Sequence, residues 1–130
     1  MRQFTELITC LSAGTSGAGL NIDVADYQHI IAQVSTASSA NLTFKCVGSI
    51  EDICPTFTSA QSATNMYDFI DMIDLQNNSS IDGDTGVGFT GTDDYRMFEV
   101  NVSGLKWVNF RITARVAGSV TIKLIGVSNQ

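Results

Sequence analysis

Few residues in this chain are of a type that could do chemistry. His29 is the single histidine among 130 residues. It stands in an alternating apolar segment, so no second base is at hand to build a Ser-His-Asp or Cys-His relay. A side chain packed on a sheet face or at an interface is its favoured reading. The cysteines, Cys10, Cys46 and Cys54, are odd in number and lack paired metal-ligand spacing. They read as reduced, mostly buried thiols rather than a zinc set. Adjacent acids such as Glu51-Asp52 and Asp93-Asp94 fall in loop-like stretches, where carboxylates form turns and carry solvated charge. The sharpest local group is Ile81-Asp82-Gly83-Asp84-Thr85-Gly86. Alternate carboxylates at Asp82 and Asp84 are hard oxygen ligands of the kind calcium takes. An EF-hand register fails there, because it puts Thr85 where Gly belongs and Gly91 where the bidentate Glu belongs. An Asp-Gly turn is favoured over a calcium loop. No glycine in this region precedes a Lys or a helix, so phosphate and dinucleotide motifs are missing. The expectation is no catalytic residues, no metal site beyond the weak Asp82/Asp84 candidates, and no cofactor.

The elements around these residues alternate with a period of two, the signature of strands. Residues 27–35 carry apolar side chains on both faces. Leu42, Phe44 and Cys46 alternate with Thr43, Lys45 and Val47, and the intervening 35–41 is small and polar. Residues 26–48 therefore read as a hairpin with a loose loop. Phe98, Val100 and Val102 oppose Met97, Glu99 and Asn101. Val108, Phe110, Ile112, Ala114 and Val116 form the apolar side of the cleanest strand, and Val120, Ile122 and Leu124 follow Ala117-Gly118. These last two segments also read as a hairpin. Residues 66–75 fit either a helical stripe or a strand with a bulge near Phe69-Ile70, and the neighbours favour the strand. Residues 76–94 are loop with a short strand at 87–90. Short strands at intervals of about ten residues point to an all-β, antiparallel, jelly-roll-like β-sandwich. Residues 20–130 are expected to form that single domain. Residues 1–19 hold a strand and a Gly-Ser-Ala-rich linker, read equally as an arm reaching another subunit or as an ordinary edge strand.

Composition narrows the classes of partner. A hydrophobic share of 44% with 15% charged residues favours a packed core. The net charge is −6 and the pI about 4.4, which opposes nucleic acid and anionic lipid. No run approaches the roughly 18–20 apolar residues of a membrane span. The run at residues 7–11 is short and follows Glu6, so it is not read as a signal-peptide core. The sequons at Asn41, Asn78 and Asn101 matter only in a eukaryotic secretory pathway. Charge is uneven: residues 46–95 hold nine carboxylates and no Lys or Arg, whereas 96–130 hold five bases and only Glu99 as an acid. Pairing of the two halves within the fold is favoured over complementarity between copies.

Trp107 shares its side of the strand with Arg111 and Arg115. It reads as a partly exposed ring, either stacking on a sugar or anchoring an interface, where Trp and Arg are enriched. A sugar platform generally needs two or three rings, and only one clear candidate is seen. Ile31, Val47, Ile125 and Val127 leave apolar side chains on the second faces of their strands, which suggests cover by other subunits. The interface candidates are Phe4, Leu7, Ile31, Trp107, Arg111 and Arg115.

Longer stretches of wording carry a resemblance. Ser62-Ala63-Thr64-Asn65, Asp74-Leu75-Gln76-Asn77, Ile81 to Gly86, Gly91-Thr92-Asp93-Asp94-Tyr95-Arg96-Met97-Phe98-Glu99-Val100-Asn101 and Leu105-Lys106-Trp107 resemble a pattern in the capsid cement, or decoration, proteins of tailed bacteriophages. The likeness runs over roughly residues 25–125. It implies a non-enzymatic jelly-roll-like protein made in the host cytoplasm and carried on the outer capsid surface of the virion. There it would form a homo-oligomer, a dimer or trimer, and clamp the major capsid protein, with no nucleic acid or membrane as partner. Weak contacts repeated over a shell add avidity, and an N-terminal segment could donate a strand to a neighbour. The rival reading is a carbohydrate-binding β-sandwich module of a virion fibre or secreted protein, with Trp107 as platform and the Asp82/Asp84 loop holding calcium.

Overall fold

The computed structural model describes residues 2–129, and every regular element in it is a strand. In chain order these are β1 (Arg2–Phe4), β2 (Ile8–Gly14), β3 (Gly17–Ala18), β4 (Ile22–Asp23), β5 (His29–Ser49), β6 (Asp68–Ile70), β7 (Met72–Asp74), β8 (Ser79–Ile81), β9 (Val87–Thr90), β10 (Tyr95–Asn101) and β11 (Trp107–Asn129). All their pairings are antiparallel.

The two expected hairpins are instead two single strands. β5 runs for 21 residues and β11 for 23. They pair with each other from Trp107↔Ser49 to Val127↔His29. The small residues at 35–41 and the Ala117-Gly118 step do not reverse the chain. They form a corner at which both strands bend together. Ser38 and Ser39 take φ of 63° and 53° and Gly118 takes 79°, while β11 slips register between Ile112 and Ala114, Arg115 and Ala117, and Ala117 and Ser119. Such bulges bend a ladder without breaking it. They also interrupt the apolar side expected of β11: Val108, Phe110 and Ile112 are buried, whereas Ala114 and Val116 face solvent, and Val120, Ile122 and Leu124 turn inward again.

The corner folds the sheet into two layers of a β-sandwich. In the first, β5 before the corner is flanked by β10, then β7 and β8, and β11 carries β1 and β2. In the second, β5 beyond the corner carries β9 and β6, and β11 carries β3 and β4. The same side of β5 stays inside throughout, with Ile30, Ala32, Val34, Leu42, Phe44 and Cys46 all at 2% exposure or less. Phe44, in the second layer, meets Phe98, in the first, edge to face at 5.8 Å between ring centres, and it also contacts Phe89 and Phe110. Burying one such ring contributes about 2–3 kcal/mol. Within 66–75 the regular structure is strand, at Asp68–Ile70 and Met72–Asp74, and not helix. The segment breaks at Asp71, so that β6 lies in the second layer beside Cys46 and β7 in the first beside Phe98.

A second cluster covers the outer face of the second layer. Val47, Phe57 and Tyr67 pack with Phe69, Trp107, Cys54 and Ala18. The long connection at 50–67 thus covers Val47, which needs no second subunit. Val127 is also buried within the chain, at 6% exposure. Strict alternation could not show this, because the covering loop has no periodicity of its own.

Candidate functional site

The expected interface residues are spread over several surfaces. Phe4, on β1, and Leu7 are 59% and 57% exposed beside the last turn-free stretch of β11, where Phe4 pairs with Val127. Here the N-terminal strands lie on this chain's own sheet. Ile31 is half-buried on the outer face of the first layer. Trp107 and Arg111 share the outer face of the second layer and are engaged by the covering loop. The Trp107 indole N–H donates to the Glu51 carbonyl at 3.1 Å, and Arg111 Nη1 donates to the Tyr67 hydroxyl at 2.9 Å. That hydroxyl in turn donates to the Ser59 carbonyl at 2.7 Å. Arg115 lies at the corner, where its Nε donates to the Gly118 carbonyl at 2.8 Å. Asp82 closes a turn: its carbonyl accepts from the backbone N–H groups of Thr85 and Gly86, and its Oδ2 accepts from the Thr85 hydroxyl at 3.0 Å. Asp84 is exposed. Among the described residues, no three His, Cys, Asp or Glu side chains gather in a group that could hold a metal ion.

Charge pairing between the acidic middle and the basic end of the sequence takes place inside the fold. Arg96 pairs with Asp74 and reaches Asp94 at 3.7 Å, and Lys106 pairs with Asp52. The Lys106 ammonium beside Asp52 holds that exposed carboxyl below its usual range. Asp74 is buried at 3% exposure, so its pairing with Arg96 is what makes a charge tolerable there. His29 sits with Nδ1 3.8 Å from Glu99. The thiols are free and sheltered. Cys10 and Cys46 are buried and Cys54 is half-buried. Burial pushes the Cys10 thiol up to about 11, partly offset by backbone hydrogen bonds at Phe110 and Leu20, and pushes Cys46 and Cys54 up as well. A thiol held in that form is a poor nucleophile and a poor metal ligand.

Grooves lie on two surfaces of the molecule. One, of about 640 Å³, runs beside the covering loop past Ser49, Ile50, Met66, Tyr67 and Leu105. Its neighbour shares Met66 and reaches Ile53. Ile50, Ile53 and Met66 are 67%, 86% and 54% exposed, which makes the loop face apolar at its surface. The other groove, of about 410 Å³, runs along β5 in the first layer between the side chains of β10 and β11. Its residues, Gln33, Ser35, Tyr95, Met97, Thr121 and Lys123, were not singled out from sequence. Each stands at an outward position of its strand, but the strands that bring them together come from three distant parts of the chain.

No protein-family model and no curated protein sequence matches this chain. Solved structures do. SPBc2 prophage-derived protein YomS superposes with a TM-score of 0.70 at 19% identity, over 98% of this chain and 96% of YomS. The fold is shared end to end. PBSX exported protein XepA superposes with a TM-score of 0.71 at 13% identity, over 98% of this chain and 38% of XepA. In XepA, then, the same architecture occupies only part of a longer chain. At these identities the likeness is one of fold.

Proposed function

We propose that this chain is a non-enzymatic structural subunit of a phage particle, a cement or decoration protein that binds the major capsid protein on the outer head surface as a homo-oligomer. The observation that carries the reading is the full-length fold match to a prophage-derived protein. The PBSX protein, of the same fold, adds support. The apolar loop face, with Ile50, Ile53 and Met66 open to solvent, supports a role in contact: exposed apolar patches commonly mark protein–protein surfaces. A shell presents such a patch many times over, so modest single contacts suffice for retention.

Gradient-purified phage particles, probed for this chain by mass spectrometry and then heated with and without it, test the reading. The expected result is a stoichiometric band in intact particles and earlier loss of heads that lack the protein. Absence from particles, or equal heat resistance without it, overturns the proposal.

A further inference from the structure

We propose that the groove along β5 in the first layer binds an anionic saccharide, a function separate from attachment to a particle. The ladder sets its side chains in two rows of three: Tyr95, Ser35 and Thr121 in one, Met97, Gln33 and Lys123 in the next. Gln33 and Ser35 form the floor. Tyr95, 78% exposed, and Met97, 43% exposed, make one wall, and Thr121 and Lys123 make the other.

Its uncommitted donors separate this groove from the others, whose remaining unspent charge is the exposed Glu51 carboxylate. Beside the covering loop, Ser49 Oγ donates to the Met66 carbonyl at 2.7 Å and Gln61 Nε2 to the Tyr67 carbonyl at 2.6 Å. Asn65 spans the carbonyls of Thr56 and Ala60. Those groups are spent on the fold. In the β5 groove, the side chains of Gln33, Ser35, Tyr95 and Lys123 have no partner within the described residues. Thr121 Oγ1 only accepts, from the Ala13 N–H at 3.0 Å, so its own proton remains free to donate. An amide, three hydroxyls and an ammonium therefore converge on a space inside the range of about 300–1,000 Å³ typical of ligand sites.

The chemistry of the walls selects the ligand. A ring and a thioether offer a flat apolar surface to the C–H face of a sugar, and the amide and hydroxyls match its hydroxyl groups. Lys123 supplies one uncompensated positive charge, because the neighbouring Arg96 is already held by Asp74 and Asp94. One anionic group on the ligand satisfies it. An extended peptide is a poorer fit. Strand addition needs a free sheet edge, and here the β5 backbone is paired on both sides, by β10 and β11. A polyphosphate backbone meets the net charge of −6.

The test is an NMR titration of the isotopically labelled full chain with trigalacturonate, sialyllactose, phosphorylated mannose and neutral maltotriose. Saturable shifts are expected at Gln33, Ser35, Tyr95 and Lys123 with at least one acidic saccharide. Tyr95→Ala should weaken that binding by about tenfold or more. Lys123→Gln should abolish the preference for acidic over neutral sugar, and both variants should keep the wild-type melting temperature. No saturable shift with any of the acidic saccharides overturns the proposal. So does binding that neither variant alters, or a polyglutamate peptide that binds the same residues as tightly.

Discussion

At the scale of single residues, the network around one buried amide shows how the fold satisfies a polar side chain in its core. Asn109, 1% exposed, donates to the Gly19 carbonyl at 2.9 Å and to Asn21 Oδ1 at 2.7 Å, and its own Oδ1 accepts from the Phe110 N–H. The Cys10 thiol lies 3.4 Å from both that oxygen and the Leu20 carbonyl. These contacts tie residues 19–21 to β11. Because burial raises the Cys10 thiol from 9.0 to about 11, the folded state holds a proton that the unfolded chain gives up earlier. Its contribution to stability is complete below about pH 9 and declines as pH climbs toward 11. Thermal melting of the wild type is expected to fall across that interval, and to fall less steeply in Cys10→Ala. A parallel decline in both proteins would remove the thiol as a cause.

At the scale of elements, the decisive feature is the corner shared by β5 and β11. Alternation correctly marked the inner residues on either side of it, and the strands expected at 66–75 and 87–90 were found as β6, β7 and β9. What alternation could not decide is whether a run of small residues reverses the chain or bends it. That depends on which segments pair across it. Gly118 holds the bend with φ +79°, and a Cβ there would lie 2.5 Å from the Ala40 Cα and 2.7 Å from the Ala37 carbonyl oxygen. Backbone strain and backbone overlap thus combine at this position. Gly118→Ala is expected to cost at least about 2 kcal/mol, read by urea denaturation. Gly104→Ala, at φ +89° with nothing within 4 Å of the added carbon, should cost less, since only the strain applies. Equal losses in the two variants would refute a packed corner.

At the scale of the whole molecule, one layer is clothed by its own loop and the other leaves the part of its outer face around Gln33, Tyr95 and Met97 open. The loop face offers Ile50, Ile53 and Met66, and the open part offers the β5 groove. If the loop face meets the capsid, Ile53→Ser with Met66→Ser should lower retention on particles by about tenfold. Melting should stay within about 0.5 kcal/mol of the wild type, as for ordinary surface changes. Retention that is unchanged would move the contact elsewhere. The sequence by itself determined that the protein is all-β and antiparallel, which residues of β10 turn inward and which of β11 do so on either side of the corner, though not that Ala114 and Val116 face solvent there, and that the acidic and basic halves can pair. Those properties are local, or follow from charge order along the chain. Only the tertiary structure decided that two apparent hairpins are one bent ribbon, that Val47 and Trp107 are covered by residues 50–67, and that Tyr95, Gln33 and Lys123 line a common groove. Each of these depends on pairing between distant segments, and the period of two that reveals a strand carries no record of its neighbour.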